Sequence, residues 1–241
     1  MGAQWKAAGR AANANKKGML VSKLIKEIVV SVKLGGPDPT GNFRLRGALE
    51  EARKNSVTRD SIERAIKRGS GQTDDNIVYE TIVYEGFCPH QVPIMVECLT
   101  DNRNRTAAAV RAAFRKGQLG TSGSVAWMFD RKGVVEAHFS DAGADLETVA
   151  IEAGADEVET VKPGEGQPTD GLIARFTCAM TELDTVNKFL NENKWNILSS
   201  ELPYIAKNFV ALSEEQQKEV GEFLEEIDDN DDVHRIYVGM R

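Results

Sequence analysis

Cysteine, histidine and long apolar runs are all scarce in this chain, and each scarcity closes off a class of function. The three cysteines, Cys88, Cys98 and Cys178, are odd in number, widely spaced and without a C-x-x-C pair. Neither a disulfide framework nor a zinc ribbon fits them, and they read as reduced packing residues. His90, His138 and His234 stand apart from one another with no metal-ligand spacing, so they read as structural or exposed. Ser122 and Ser124 have no foreseeable base, which leaves nucleophilic catalysis unsupported. The acidic run "DDNDD" at 228–232 lacks the glycine and distal glutamate of a calcium loop and reads as a solvated helix end. No apolar stretch approaches the roughly 18–20 residues of a bilayer span, and the N-terminus has no signal pattern. The expectation is a cytoplasmic protein with no membrane partner, no cofactor and no small-molecule substrate.

What the chain does have is polarised charge. The net value of −7 conceals residues 1–72 with 15 Lys/Arg against 6 Asp/Glu, and residues 100–132 with 7 against 2. Residues 133–241 reverse the sign, with 8 basic against 24 acidic. A basic face joined to an acidic body fits phosphate recognition with little nonspecific adhesion, the alternative being ordinary solvated surface.

The pattern of elements predicts an α+β chain. Residues 1–18 are small, basic and weakly periodic, like a mobile arm. Leu20, Leu24, Ile25, Ile28 and Val32 then recur at helical spacing up to Gly35-Gly36-Pro37. A second helix over about 42–54 would bury Leu45, Ala48, Leu49 and Ala52, and Thr58 would cap a third. The short turn between them admits a helix-turn-helix, but equally any helical bundle. Strands follow at "IVYETIVYEG" and "VPIMVECL", then a helix over 103–116 and a strand at "SVAWMFD". One face of that last strand would be core, and nothing supports base stacking on the other. From Val134 the order strand, helix, strand, strand, helix, strand matches a ferredoxin-like split βαβ unit, with "KPGEGQPTDG" as its central hairpin loop. Ser213 and Gln216 open a final helix with a capping box, before the strand "VHRIYVGM". These last elements add no new core, so they should return to the earlier sheet. Three domains result: an N-terminal helical bundle with its basic arm (1–78), a middle α/β domain completed by the C-terminus (79–133 with 205–241), and an inserted ferredoxin-like domain (134–204).

Candidate contacts come from the basic segments. In "TDNRNRT", Arg103 and Arg105 sit at the positive end of a helix dipole, which an anion such as phosphate would make favourable; the alternative is that Asp101 pairs with an arginine. Arg111, with Arg115 and Lys116, extends the charge down the helix as a backbone track would. The turn "GQLGTSGS" has N–H groups that could approach a phosphate, though it is no P-loop. The basic helices and arm add Lys6, Arg10, Lys16, Lys17, Arg44, Arg46, Arg53, Lys67 and Arg68.

The segments "LRGALEEARKNSVTRDSIERAIKRGSG", "YEGFCPHQVPIMVECLTDNRNRTAAAVRAAF", "LGTSGSVAWMFDRKG" and "LSEEQQKEVGEFLEEIDDNDDVHRIYVGM" closely resemble the YebC/PmpR family, which includes a mitochondrial translational activator of cytochrome oxidase. The resemblance implies the same three-domain layout and no catalytic activity. By matching motif it extends to Arg103, Arg105, Thr106, Thr121, Ser122, Gly123 and Ser124, and to Trp5. The arm departs from the family pattern: "GAQWK" leads into an alanine- and asparagine-rich stretch, and the segment before "LGTSGS" is short. Bacterial members are commonly labelled transcriptional regulators that bind DNA, so the function expected is that of a non-enzymatic DNA-binding regulator. The alternative is a ribosome-associated factor that binds ribosomal RNA and relieves stalling at proline runs. A third possibility is a protein-interaction module using the acidic C-terminal helix.

Overall fold

The computed structural model describes residues 4–73, 78–164 and 167–240, and of residues 4–16 the backbone. Helix α1 (Gln4–Gly35) runs unbroken through the segment expected to be a mobile arm. Its alanines are the strongest helix formers, and no proline interrupts the stretch. Helices α2 (Phe43–Lys54) and α3 (Arg59–Gly69) pack against α1. The core they share includes Leu24, Ile28 and Val32 of α1, Ala65 of α3, and Leu45, Ala48, Leu49 and Ala52, the stripe expected for α2. Asn42 caps α2 by accepting from the Leu45 N–H at 3.0 Å, while its amide donates to the Ser31 and Gly36 carbonyls, each at 2.8 Å. Thr58 caps α3 through the Ser61 N–H.

Strands β1 (Glu80–Phe87) and β2 (Pro93–Thr100) form an antiparallel hairpin. Helix α4 (Arg103–Ala113) and a 3₁₀ turn over Phe114–Lys116 follow, then the short strand β3 (Gln118–Leu119) on the outer edge of β1. The expected strand at 124–130 is instead a 3₁₀ turn over Ala126–Met128, and β4 (Phe129–Phe139) starts only after it. The chain then passes without a break across residues 133 and 134 into α5 (Leu146–Ala153), β5 (Glu157–Val161), β6 (Leu172–Ala179), α6 (Leu183–Glu192) and β7 (Asn196–Glu201). The sheet order β5-β6-β4-β7, antiparallel throughout, is that of the ferredoxin-like unit expected. Its core centres on Trp195, stacked on Phe139 at 4.7 Å and edge-on to Phe176 at 5.4 Å.

A short strand, β8 (Tyr204–Ala206), pairs with the first residues of β4. Helix α7 (Glu214–Asp228), opened by the Ser213–Gln216 capping box, and β9 (Val233–Val238) return the chain to the first sheet, giving the order β3-β1-β2-β9. Strand β2 is buried along its whole length because both faces are covered. On one face Val110 and Phe114 meet Val220, Phe223 and Ile227; on the other Met95 meets Val125, Phe129 and Ala206. The chain is therefore an α+β protein of three domains: a helical bundle, a middle domain closed by the C-terminus, and an inserted ferredoxin-like domain. All three cysteines are free and buried; burial pushes the thiols up to about 12 for Cys88 and Cys98 and about 11 for Cys178, which suits packing rather than reactivity.

Candidate nucleic-acid interface

The two arginines at the start of α4 have different fates. Asn102 is the cap, accepting from the Arg105 N–H at 3.0 Å. Arg105 stays half exposed but is tied to two carboxylates: its Nη2 donates to Asp232 Oδ2 at 2.9 Å and to Asp101 Oδ1 at 2.9 Å, and its Nε to Asp232 Oδ2 at 3.2 Å. Thr106, fully buried, places its hydroxyl 2.8 Å from the same Asp232 oxygen. From α1, Lys26 donates to Asp232 Oδ1 at 2.6 Å. Burial alone would raise the Asp232 carboxyl, but its bonds to Lys26, Thr106 and Arg105 hold it below the usual carboxylate range. The anion that satisfies this end of α4 is thus internal. "DDNDD" is more than a solvated helix end, since its last residue fastens the helical bundle to the middle domain.

A second buried carboxylate strengthens that joint. Glu27 accepts from Arg44 Nε at 2.7 Å and Nη2 at 3.0 Å, and lies 2.9 Å from His234 Nε2. Burial opposes its charge, yet His234 and Arg44 keep its pKa well below the ordinary carboxylate value. Arg44 therefore has an internal task. Arg46 lies 4.8 Å over the Phe43 ring, with one buried guanidinium nitrogen unpartnered. Between the middle and inserted domains, Arg235 clamps Glu201 with bonds of 2.6 and 3.0 Å.

The outer face of α4 is different. With about 100° and 1.5 Å per residue, Arg103 and Arg111 share one side of the helix, and Arg115 follows in the 3₁₀ turn; all three are exposed. Arg103 reaches Glu80 at 3.3 Å, a pair exposed on both sides. Among the described residues, neither Arg111 nor Arg115 has an ion-pair partner. The charge of both arginines, Arg103 and Arg111, is felt at the hydroxyl of Tyr84, whose pKa is raised mainly by burial. Lys17, Arg53 and Lys67 are also exposed, and half-buried Arg68 hydrogen bonds Tyr79. The side chains of Trp5, Lys6, Arg10 and Lys16 lie outside the described residues.

The glycine-rich turn does present converging N–H groups, but an internal anion occupies them. The Glu85 carboxylate accepts from Gly123 at 2.7 Å, Val125 at 2.9 Å and Ala126 at 2.8 Å. Burial would raise its pKa; the three amide bonds lower it. Thr121 and Ser122 remain exposed, and Ser124 lends its carbonyl to the Trp127 indole N–H at 3.1 Å while its own hydroxyl is buried without a partner. Sequence reasoning missed Asp232, Glu85 and Lys26. Only Lys26-Glu27 left a signal, as a charged pair inside the apolar run of α1. Among the described residues no cluster of three or more His, Cys, Asp or Glu could hold a metal ion, and no helix is long and apolar enough to cross a membrane.

Comparison with known proteins agrees over nearly the whole chain. Residues 2–72 match the model of the TACO1/YebC protein N-terminal domain, and residues 79–240 that of the TACO1/YebC second and third domain. A "Probable transcriptional regulatory protein" from Polaromonas is 48% identical, covering 100% of this chain and 99% of its own. One of the same name from Myxococcus xanthus is 41% identical over 95% of this chain and 89% of its own. The crystal structure of a conserved hypothetical protein from Aquifex aeolicus superposes with a TM-score of 0.74 at 36% identity, covering 94% of this chain and 90% of that one.

Proposed function

The chain belongs to the TACO1/YebC family, and from that premise we propose that it is a non-enzymatic regulator of gene expression that binds nucleic acid, in the manner of a DNA-binding transcriptional regulator. The observation that carries this reading is the outer face of α4, where Arg103, Arg111 and Arg115 face solvent while the carboxylates of Asp232 and Glu85 are spent on internal bonds. Such a row meets a phosphate backbone, and it supplies affinity without reading sequence. Arg105 and Thr106 serve it indirectly by fixing the start of α4. The printed names of the relatives support a regulatory role.

The test is fluorescence anisotropy of a labelled duplex DNA with the purified full chain, repeated with purified ribosomes in excess competitor duplex. Binding to duplex that weakens with salt is the expected result. Retention on ribosomes against the competitor would move the same site to ribosomal RNA and a role in translation, and binding to neither would refute the proposal.

A further inference from the structure

Trp127 is 68% exposed, an indole left in water on a chain with buried places for other aromatics. It is not on a loose loop. Its N–H donates to the Ser124 carbonyl at 3.1 Å, and the Met128 N–H to the Val125 carbonyl at 2.9 Å. The preceding amides are held by Glu85, while its neighbours Ala126 and Met128 pack on Met95 and Phe129. The ring is therefore set in place before any ligand arrives.

Its position relates to the arginine row. Strand β3 pairs with Gly86 and Phe87, and the Gly120 N–H adds a bond to the Glu85 carbonyl at 2.7 Å; among the described residues the outer edge of β1 before Glu85 has no strand partner. Tyr84 joins the core on the α4 side of this edge, near Arg103 and Arg111; Val83 and Phe87 join the core beneath the Trp127 turn, on the other side. Exposed Thr121 and Ser122 lie in the segment that passes between them. The Lys207 backbone N–H donates to the Met128 carbonyl at 2.9 Å, which pins the end of the turn, while the Lys207 ammonium is paired with Asp130 at 3.2 Å. The exposed arginines of α4 and a preset aromatic face thus lie on the two sides of the β1 edge, linked by the turn that bonds Glu85.

We infer that Trp127 is a stacking platform for an unpaired nucleobase, reached by a strand whose phosphates lie on Arg103, Arg111 and Arg115. This rests on the phosphate-binding reading above and narrows the ligand: an uninterrupted duplex hides its base faces, whereas a single strand, bulge or loop offers one. Stacking tolerates any base, so RNA and DNA share the chemistry.

The experiment uses the full chain carrying Trp5→Phe, so that emission reports Trp127 against buried Trp195. It is titrated with 12-nucleotide single-stranded oligo(dT) or oligo(rU), and with a blunt duplex of equal length. Quenching by the single strands and not by the duplex is expected. Trp127→Ala should weaken single-strand binding about five- to hundredfold, the range of one stacked base, leave duplex binding unchanged, and be rescued largely by Trp127→Phe. Preference for oligo(rU) would assign an RNA source and for oligo(dT) a DNA source, and either supports the platform. Equal single-strand affinity of Trp127→Ala and the parent overturns it while leaving the arginine row standing if Arg111→Ala still weakens binding. Absence of binding to every probe overturns both.

Discussion

Replacing Asp232 by asparagine preserves its size and removes its charge, and the consequence can be worked from its surroundings. The side chain is 5% exposed and touches two cations. Arg105 is 53% exposed and retains Asp101, so it loses little. Lys26 is 10% exposed and, among the described residues, retains the Asp231 carbonyl at 2.8 Å and the face of the Tyr79 ring at 5.9 Å, but no carboxylate. Removing one partner of a buried pair costs about 3–5 kcal/mol, and survival of the Arg105–Asp101 pair places D232N near the lower end, about 3 kcal/mol. For a chain of this size that lowers the melting temperature by about 6–12 °C. Differential scanning calorimetry with urea midpoints should show the loss, and Lys26→Met in the D232N background should recover part of it by removing the stranded charge. The pH dependence has a definite sign. A carboxylate whose folded pKa is depressed contributes stability above its unfolded value of about 3.9, and loses it as pH falls through the lower folded value. Below about pH 4, D232N should therefore lose less stability on acidification than the parent. A melting temperature within about 2 °C of the parent at pH 7 would refute the hub, since it would equate to less than about 1 kcal/mol.

Glu85→Gln should cost about 1.5–3 kcal/mol, the worth of hydrogen bonds to a charged acceptor, and should speed hydrogen exchange at the Gly123, Val125 and Ala126 amides as read by NMR; unchanged exchange would mean the carboxylate does not hold the turn. Gly86→Ala should destabilise by about 1–3 kcal/mol in urea melts, because a Cβ there would overlap the Gln118 carbonyl and come within 2.8 Å of the Phe114 ring. A neutral result would show that β3 can move away from β1.

Local rules read much of this fold. The caps at Thr58 and Ser213, the stripe of α2 and the order of the inserted unit all depend on residues a few positions apart, where sequence spacing is spatial spacing. The 124–130 segment failed because its geometry is imposed from elsewhere. Amides of Val125 and Ala126 converge on one Glu85 oxygen, whereas successive N–H groups of an extended strand point to opposite sides. The site was half legible for the same reason. Arg103 and Arg105 look equivalent in "TDNRNRT", and what separates them is a carboxylate 127 positions from Arg105. An excess of charge at a helix start told that an anion was needed, but not that the chain supplies one itself.

The most direct test of the account is the salt dependence of nucleic-acid binding by the parent and by a variant with Arg103, Arg111 and Arg115 all changed to alanine. The slope of log affinity against log salt should become shallower by roughly 2–3 on duplex, about 0.9 for each phosphate contact removed, with little change in melting temperature because these side chains are exposed. Equal slopes and affinities for the two proteins would contradict the claim that the outer face of α4 holds the phosphate backbone.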